Sequence, residues 1–323
     1  MNILVFGKDG QLGKAFKSVF DASELGELHR IEYVGRAECD LASPDAIAAL
    51  LNKVKPGLII NAAAYTGVDK AETEVDLAYA INAKAPELMA IYAKRHGSIF
   101  LHYSTDFVFD GSKKTAYIES DVRSPLAIYG KSKAAGEEAI ESAFEGSNSS
   151  AGRYAIFRTS WVYGEGGNFI RTILRIAKQR ETLKVIADQY GAPTSATWLA
   201  EVSLGLALDE QHQLRPFQSG IYHAVPLGET TWHALACYAV QVAIEAGAAL
   251  KLRPEAIAAI PATEYPLPAP RPMNSRMARG VLEAALTNSL GGSSNMTKSH
   301  LLEQSWESQV EAYVQELVHR KLI

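Results

Sequence analysis

The chain has 323 residues, 47% hydrophobic and 21% charged, with a formal net charge of −4. That composition excludes a disordered chain, and the slightly negative balance gives no broad electrostatic reason to bind nucleic acid or an anionic membrane. Only Cys39 and Cys237 occur, far apart and without a CxxC pair or a His/Cys cluster, so a reducing cytoplasm is expected and no metal site is.

In chain order, "MNILVFGKDG" lacks the anatomy of a cleavable leader and reads as a first strand closed by Gly7. "QLGKAFKSVF" then places Leu12, Ala15, Phe16, Val19 and Phe20 at helical spacing. "RIEYVG" is a second strand, and "SPDAIAALLNKV" a helix with Ser43 as N-cap and Pro44 at its first position. "GLIINAAA" is a third strand. "DLAYAINAKAPELMAIYAKRHG" reads as one long helix stopped by His96 and Gly97. "SIFLHYST" is a fourth strand, a helix from about Leu126 carries Tyr129, and "YAIFRTSWVYG" is a fifth strand.

Farther on, "RPFQSGIYHAV" suggests another short strand. "TTWHALACYAVQVAI" is a core-facing helix too short to span a bilayer. "PATEYPLPAPRPMNSRM" holds five prolines and must be an ordered loop or an extended segment, and "WESQVEAYVQELV" is a closing helix. "EGSNSSAG" (145–152) and "TNSLGGSSNMTKS" (287–299) read as surface insertions.

Strands interleaved with helices of this length imply an α/β fold, a Rossmann-like doubly wound parallel sheet. A smaller, interleaved C-terminal substrate-binding domain accompanies it. We expect residues 1–165, with 196–226 returning to them, to bind a dinucleotide, and 166–195 with 227–323 to bind substrate. Ligands of such sheets sit at the carboxyl ends of the strands. Those ends carry Gly7, Ala62 to Ala64, Ser104 to Asp106, and Thr159 to Trp161.

"GKDGQLG" spaces Gly7, Gly10 and Gly13 between a strand and a helix, where backbone N–H groups can approach a pyrophosphate. Gln11 and Leu12 belong to that turn, and Asp40 and Leu41 follow the second strand; with Ala62, Ala63 and Ala64 these are candidate cofactor contacts. After the second strand Arg36 precedes Glu38. An arginine there pairs with a 2′-phosphate, favouring NADPH, while Glu38 leaves NADH open. "SPLAIYGKSK" puts Tyr129 and Lys133 one helical turn apart, where an ammonium would lower a phenol's pKa toward working pH. Thr105, 24 positions before Tyr129, reaches the same cleft from a different element. Together they supply a hydroxyl to polarise a carbonyl, a phenol to donate a proton and an ammonium to tune the phenol.

A glycine turn, a hydroxyl after the fourth strand and Tyr-x-x-x-Lys together resemble the extended short-chain dehydrogenase/reductases. "NAAAYTGVDKAE", "STDFVFDG", "YGKSKAAGE", "RTSWVYG", "DQYGAPTSA" and "PRPMNS" are similar to the dTDP-4-dehydrorhamnose reductase family. The resemblance runs from residue 7 to about 275. It implies NADPH-dependent reduction of a nucleotide sugar's 4-keto group in the making of a cell-surface polysaccharide precursor. Tyr129 would be the proton donor, Lys133 the group that bonds the nicotinamide ribose and lowers the phenol's pKa, and Thr105 the carbonyl's hydrogen-bond partner. Asp106, Thr66 and Val68 would lie at the sugar, Asn82 would support the site, and Trp161, Arg271 and Asn274 would shape the nucleotide-sugar pocket. Phe107 stands where the family usually has a tyrosine, removing one hydrogen bond to sugar or diphosphate. Ala15 stands where some members carry a glutamate of a metal-linked dimer, so neither that metal nor that dimer is expected; another homodimer stays open. Two alternatives also stay open: an NADP-binding regulatory subunit like that of methionine adenosyltransferase, and a reductase or epimerase of another nucleotide sugar.

Overall fold

The computed structural model describes residues 1–146, 152–288 and 300–323. Strands β1 (Asn2–Phe6), β2 (Arg30–Val34), β3 (Leu58–Asn61), β4 (Ile99–Thr105) and β5 (Arg153–Thr159) are joined through helices α1 (Gln11–Asp21), α2 (Pro44–Val54), α3 (Val75–Tyr79), α4 (Ala85–His96) and α5 (Ile128–Phe144). A short strand β6 (Leu183–Ile186) lies outside this sheet, and β7 (Gly220–His223) returns to it. The main sheet has the order β7-β5-β4-β3-β1-β2, and every pairing is parallel.

Alternation along β1 shows why both faces need helices. Ile3 and Val5 pack in one core with Phe16 and Phe20 of α1, while Leu4 and Phe6 pack in the other with Ile47 and Leu51 of α2. A third core, built around Ile173, Leu174, Leu235 and Val314, lies in the C-terminal part of the chain. There β6 pairs with β8 (Ile257–Ile260), which follows the helix Trp232–Glu245. The closing helix is Trp306–His319, and the proline-rich run is a loop that holds a 3-10 turn, Ala262–Glu264, and bridges to Tyr190 and Tyr117 through Asn274 and Met277.

Three expectations change. Tyr129's helix starts at Ile128 rather than near Leu126; Ala127 is extended, and the free Ile128 N–H donates to Glu72 at 2.8 Å. The long helix over 76–97 is interrupted between α3 and α4 by a π-helical turn, Ala80–Lys84. That extra residue per turn brings buried Asn82 against the backbone of Tyr65. The expected fifth strand breaks after Thr159: Trp161 takes a left-handed φ of 49°, and Val162–Tyr163 pairs with Thr194–Ser195 in a separate ribbon. The proposed surface insertions lie largely outside the described residues, which resume at 152 and 300.

Candidate active site

The chain's first turn is built for close approach. Gly7 has φ +86°, and a Cβ there would meet the Ala63 nitrogen and Ala62 carbonyl at 2.7–2.8 Å. A Cβ on Gly13 would sit 2.0 Å from the Gly7 oxygen, so α1 can lie this near β1 only with glycine. Gly10 is the N-cap of α1, with no side-chain cap and no acidic residue in the first turn. The helix's first N–H groups and its positive end are therefore left for an anion. Gln11 opens the helix partly exposed, and Leu12 is buried beneath it.

Beside this turn a cleft of about 380 Å³ opens at the carboxyl ends of β1 to β3. Gly7, Arg36, Asp40, Leu41, Ala63 and Ala64 line it, and Ala62 lies at its edge against Gly7. Glu38 is bonded to Lys8 and accepts the Gly35 N–H at 2.8 Å. Its carboxylate is thus already occupied, whereas Arg36 is exposed at the cleft. This arrangement suits a dinucleotide with a 2′-phosphate better than one with a free ribose hydroxyl.

The catalytic candidates converge where β4 ends and α5 begins. Thr105 is buried, accepts the Phe107 N–H at 3.2 Å and donates to Asp106 Oδ1 at 2.9 Å. Tyr129 packs edge-on to Phe107, with ring centroids 5.5 Å apart. Its phenol is pushed up to about 12 by loss of water; the Thr105 hydroxyl opposes the shift and the Asp106 charge adds to it. Lys133, on the same helix, is fully buried and donates to the Tyr103 carbonyl at 2.5 Å, with His102 Nε2 at 3.2 Å. Burial pulls the Lys133 ammonium down to about 8, with Glu137 resisting. The expected lowering of the phenol by Lys133 is therefore replaced here by a raised phenol, because water is withheld and the ammonium is bonded elsewhere.

A larger cavity of about 990 Å³ adjoins this group, with Phe107, Trp161, Trp232, Arg271 and Ser275 among its walls. Trp161 stacks on Trp232 at 3.7 Å, a contact that accompanies its left-handed backbone. Arg271 bonds Asp69 Oδ2 at 2.9 Å and lies 6.0 Å above the Phe107 ring. Asp106 is buried between Thr105 and a donated hydroxyl from Ser275. Burial raises its carboxyl to about 6, and those two donors hold it from going higher.

Three expected pocket residues sit elsewhere. Asn274 is buried and spends both amide hydrogens on the carbonyls of Lys113 and Thr115, at 2.6 and 2.9 Å. Its oxygen accepts from Arg276, so it pins the chain rather than facing the cavity. Thr66 lines the smaller cleft, and Val68 opens the short helix Val68–Ala71 without lining either space. Asn82 holds Tyr65 through both its amide groups and donates to Ser132 Oγ at 3.0 Å. Sequence reasoning missed Ser275, Trp232 and His102. Ser275 shared a motif with two chosen residues, and His102 was the first polar residue after the apolar run Ile99–Leu101 of its strand. Trp232 carried no local signal.

The chain matches, over residues 1–317, the family model described as the RmlD substrate binding domain. It is 43% identical over 282 residues to a dTDP-4-dehydrorhamnose reductase of Salmonella typhimurium, covering 86% of this chain and 89% of that one. A solved dTDP-4-dehydrorhamnose reductase from Clostridium acetobutylicum superposes with a TM-score of 0.81 at 31% identity, over 98% of this chain and 99% of that one. Another, from Bacillus anthracis in complex with NADP, has a TM-score of 0.78 at 29% identity, with the same coverage. From a family match over nearly its whole length and from these relatives, the chain belongs to the dTDP-4-dehydrorhamnose reductase family.

Proposed function

We propose that the protein reduces the 4-keto group of dTDP-4-dehydro-L-rhamnose with NADPH, giving dTDP-L-rhamnose. The observation that supports this reading is the seat of Tyr129: it faces Thr105 and packs on Phe107, a wall of the cavity that Trp161 and Arg271 also line, one helical turn from Lys133. The division into a cofactor-binding part, 1–165 with 196–226, and a substrate-binding part belongs to the same reading. It is supported by the pairing of β7 with β5 and by the separate C-terminal core.

Gly7, Gly10, Gln11 and Gly13 would receive the cofactor's pyrophosphate, and Arg36 its 2′-phosphate. When bound, NADPH supplies the hydride. A phenol raised to about 12 stays protonated at neutral pH, which suits Tyr129 to donate its proton to the keto oxygen as negative charge develops there. Thr105 stands beside that phenol to share the developing charge. An ammonium has three donors; Lys133 directs two at Tyr103 and His102, leaving one for the ribose or the emerging phenolate. Arg271 suits the diphosphate because its fork matches two oxygens. A cytoplasmic location belongs to the same proposal, since its nucleotide reactants are soluble.

The test is NADPH oxidation by the purified chain, with dTDP-4-dehydro-L-rhamnose generated in the same tube by the upstream enzymes. Formation of dTDP-L-rhamnose in step with NADPH loss supports the reading. Cofactor binding without reduction of this sugar overturns it.

A further inference from the structure

Ser275 reaches the catalytic group from 169 positions farther along the chain. Its N–H donates to the Tyr190 carbonyl at 2.7 Å, and Tyr190 N–H in turn bonds Met273 O at 3.0 Å, so the segment is fixed on both sides. The Ser275 side chain is buried, lines the large cavity and donates to Asp106 Oδ2, while Thr105 donates to Oδ1 of the same carboxylate. Thr105 has a single O–H, and here it points at Asp106. To bond a sugar carbonyl the hydroxyl must turn away, leaving Oδ1 open for a sugar hydroxyl while Oδ2 keeps its donor.

Building on the reductase reading, we propose that Ser275 is a positioning residue: it holds the Asp106 carboxylate in place and ionised while Thr105 transfers its hydrogen bond to the substrate. Ser275 thereby couples the proline-rich wall of the substrate cavity to the catalytic hydroxyl. The ionisable side chain that faces Asp106 is Tyr129 from α5; the nearest cations of the site, Lys133 on α5 and Arg271 on the proline-rich wall, have other partners. Lys133 is engaged with Tyr103 and His102, and Arg271 with Asp69. Among the described residues no cation bonds Asp106, which makes the neutral donors decisive.

Two measurements on the full chain test this. A carbon-13 NMR titration of the Asp106 carboxyl, assigned with Asp106→Asn, should show its midpoint raised by about one unit or more in Ser275→Ala, because a donor to the charged form is lost. Ser275→Thr keeps the hydroxyl and should restore the midpoint. The second is kcat/KM for dTDP-4-dehydro-L-rhamnose against pH. Its acid limb should rise by the same amount in Ser275→Ala, with KM rising more than kcat falls, and Ser275→Thr should restore it. An unmoved midpoint, or a pH-independent loss of activity that Ser275→Thr does not rescue, overturns the positioning role while an active wild type keeps the reductase reading. A wild type without turnover overturns the reading itself, and with it any part for Ser275 in that reaction.

Discussion

Tyr129 and Lys133 share one face of α5, yet each answers to a different neighbour. Tyr129 faces Thr105 and Phe107, and Lys133 is held by the Tyr103 carbonyl. Spacing placed both side chains on the right helix but could not say which acceptor the ammonium would find, because that acceptor is a backbone oxygen of β4. Tyr129→Phe keeps the ring packing and removes the proton donor. It should leave NADPH affinity within a few-fold of wild type and cut kcat by about 10²–10⁴, read by stopped-flow binding beside steady-state turnover; near wild-type kcat would remove Tyr129 from its role. At the other end of the cofactor cleft, Glu38 is tied to Lys8 and Gly35, leaving Arg36 to read the 2′-phosphate. Arg36→Ala should weaken NADPH by about 10- to 100-fold, the loss of a hydrogen bond to a charged group, and NADH hardly at all. Equal losses in a fluorescence titration of the two cofactors would count against this reading.

The elements that carry these residues owe their positions to close backbone contacts that no local pattern announces. Ser43 does cap α2 as its sequence suggests, accepting the Ala46 N–H at 3.3 Å. The run from Val75 to His96 also has the composition of one helix. Its π turn arises where α5 presses against it at Gly136, whose Cβ would lie 2.1 Å from the Asn82 oxygen. Gly136→Ala must push the two helices apart and disturb Asn82, so we expect a loss of about 1–3 kcal/mol in urea unfolding together with a raised KM for the cofactor. Gly167→Ala is the control: nothing lies within 4 Å of the added Cβ. If the two variants unfold alike, the contact at Gly136 is not what holds α5 in place.

For the whole molecule, the buried ionisable groups set the response to acid. His102 and His223 are both held below the ordinary histidine range, chiefly by burial, with Lys133 and Arg158 respectively adding to it; His223 falls to about 3. Below pH ~6.5 the unfolded chain therefore takes up two protons that the folded chain refuses, and stability falls. Asp106 works the other way. Raised to about 6, it binds a proton in the folded state before the unfolded chain does, and this returns stability as pH falls toward the ordinary aspartate range. The net uptake on unfolding from these groups is roughly one proton, or about 1.4 kcal/mol lost per pH unit between about pH 6 and 5. Asp106→Asn should steepen the urea-derived slope toward two protons, and an unchanged slope would mean Asp106 does not titrate there. What the sequence determined by itself was whatever rests on neighbours along the chain: strand and helix periods, the glycine turn, the Tyr-x-x-x-Lys spacing and the order of motifs. The tertiary structure alone decided what depends on groups brought together from far apart. It broke the fifth strand at Trp161 so that its ring could stack on Trp232. It turned Asn274 away from the cavity and set Ser275 against Asp106. Hydrogen bonds and burial act over a few ångströms of space, and residues 106 and 275 become neighbours only when the proline-rich wall folds over the end of β4.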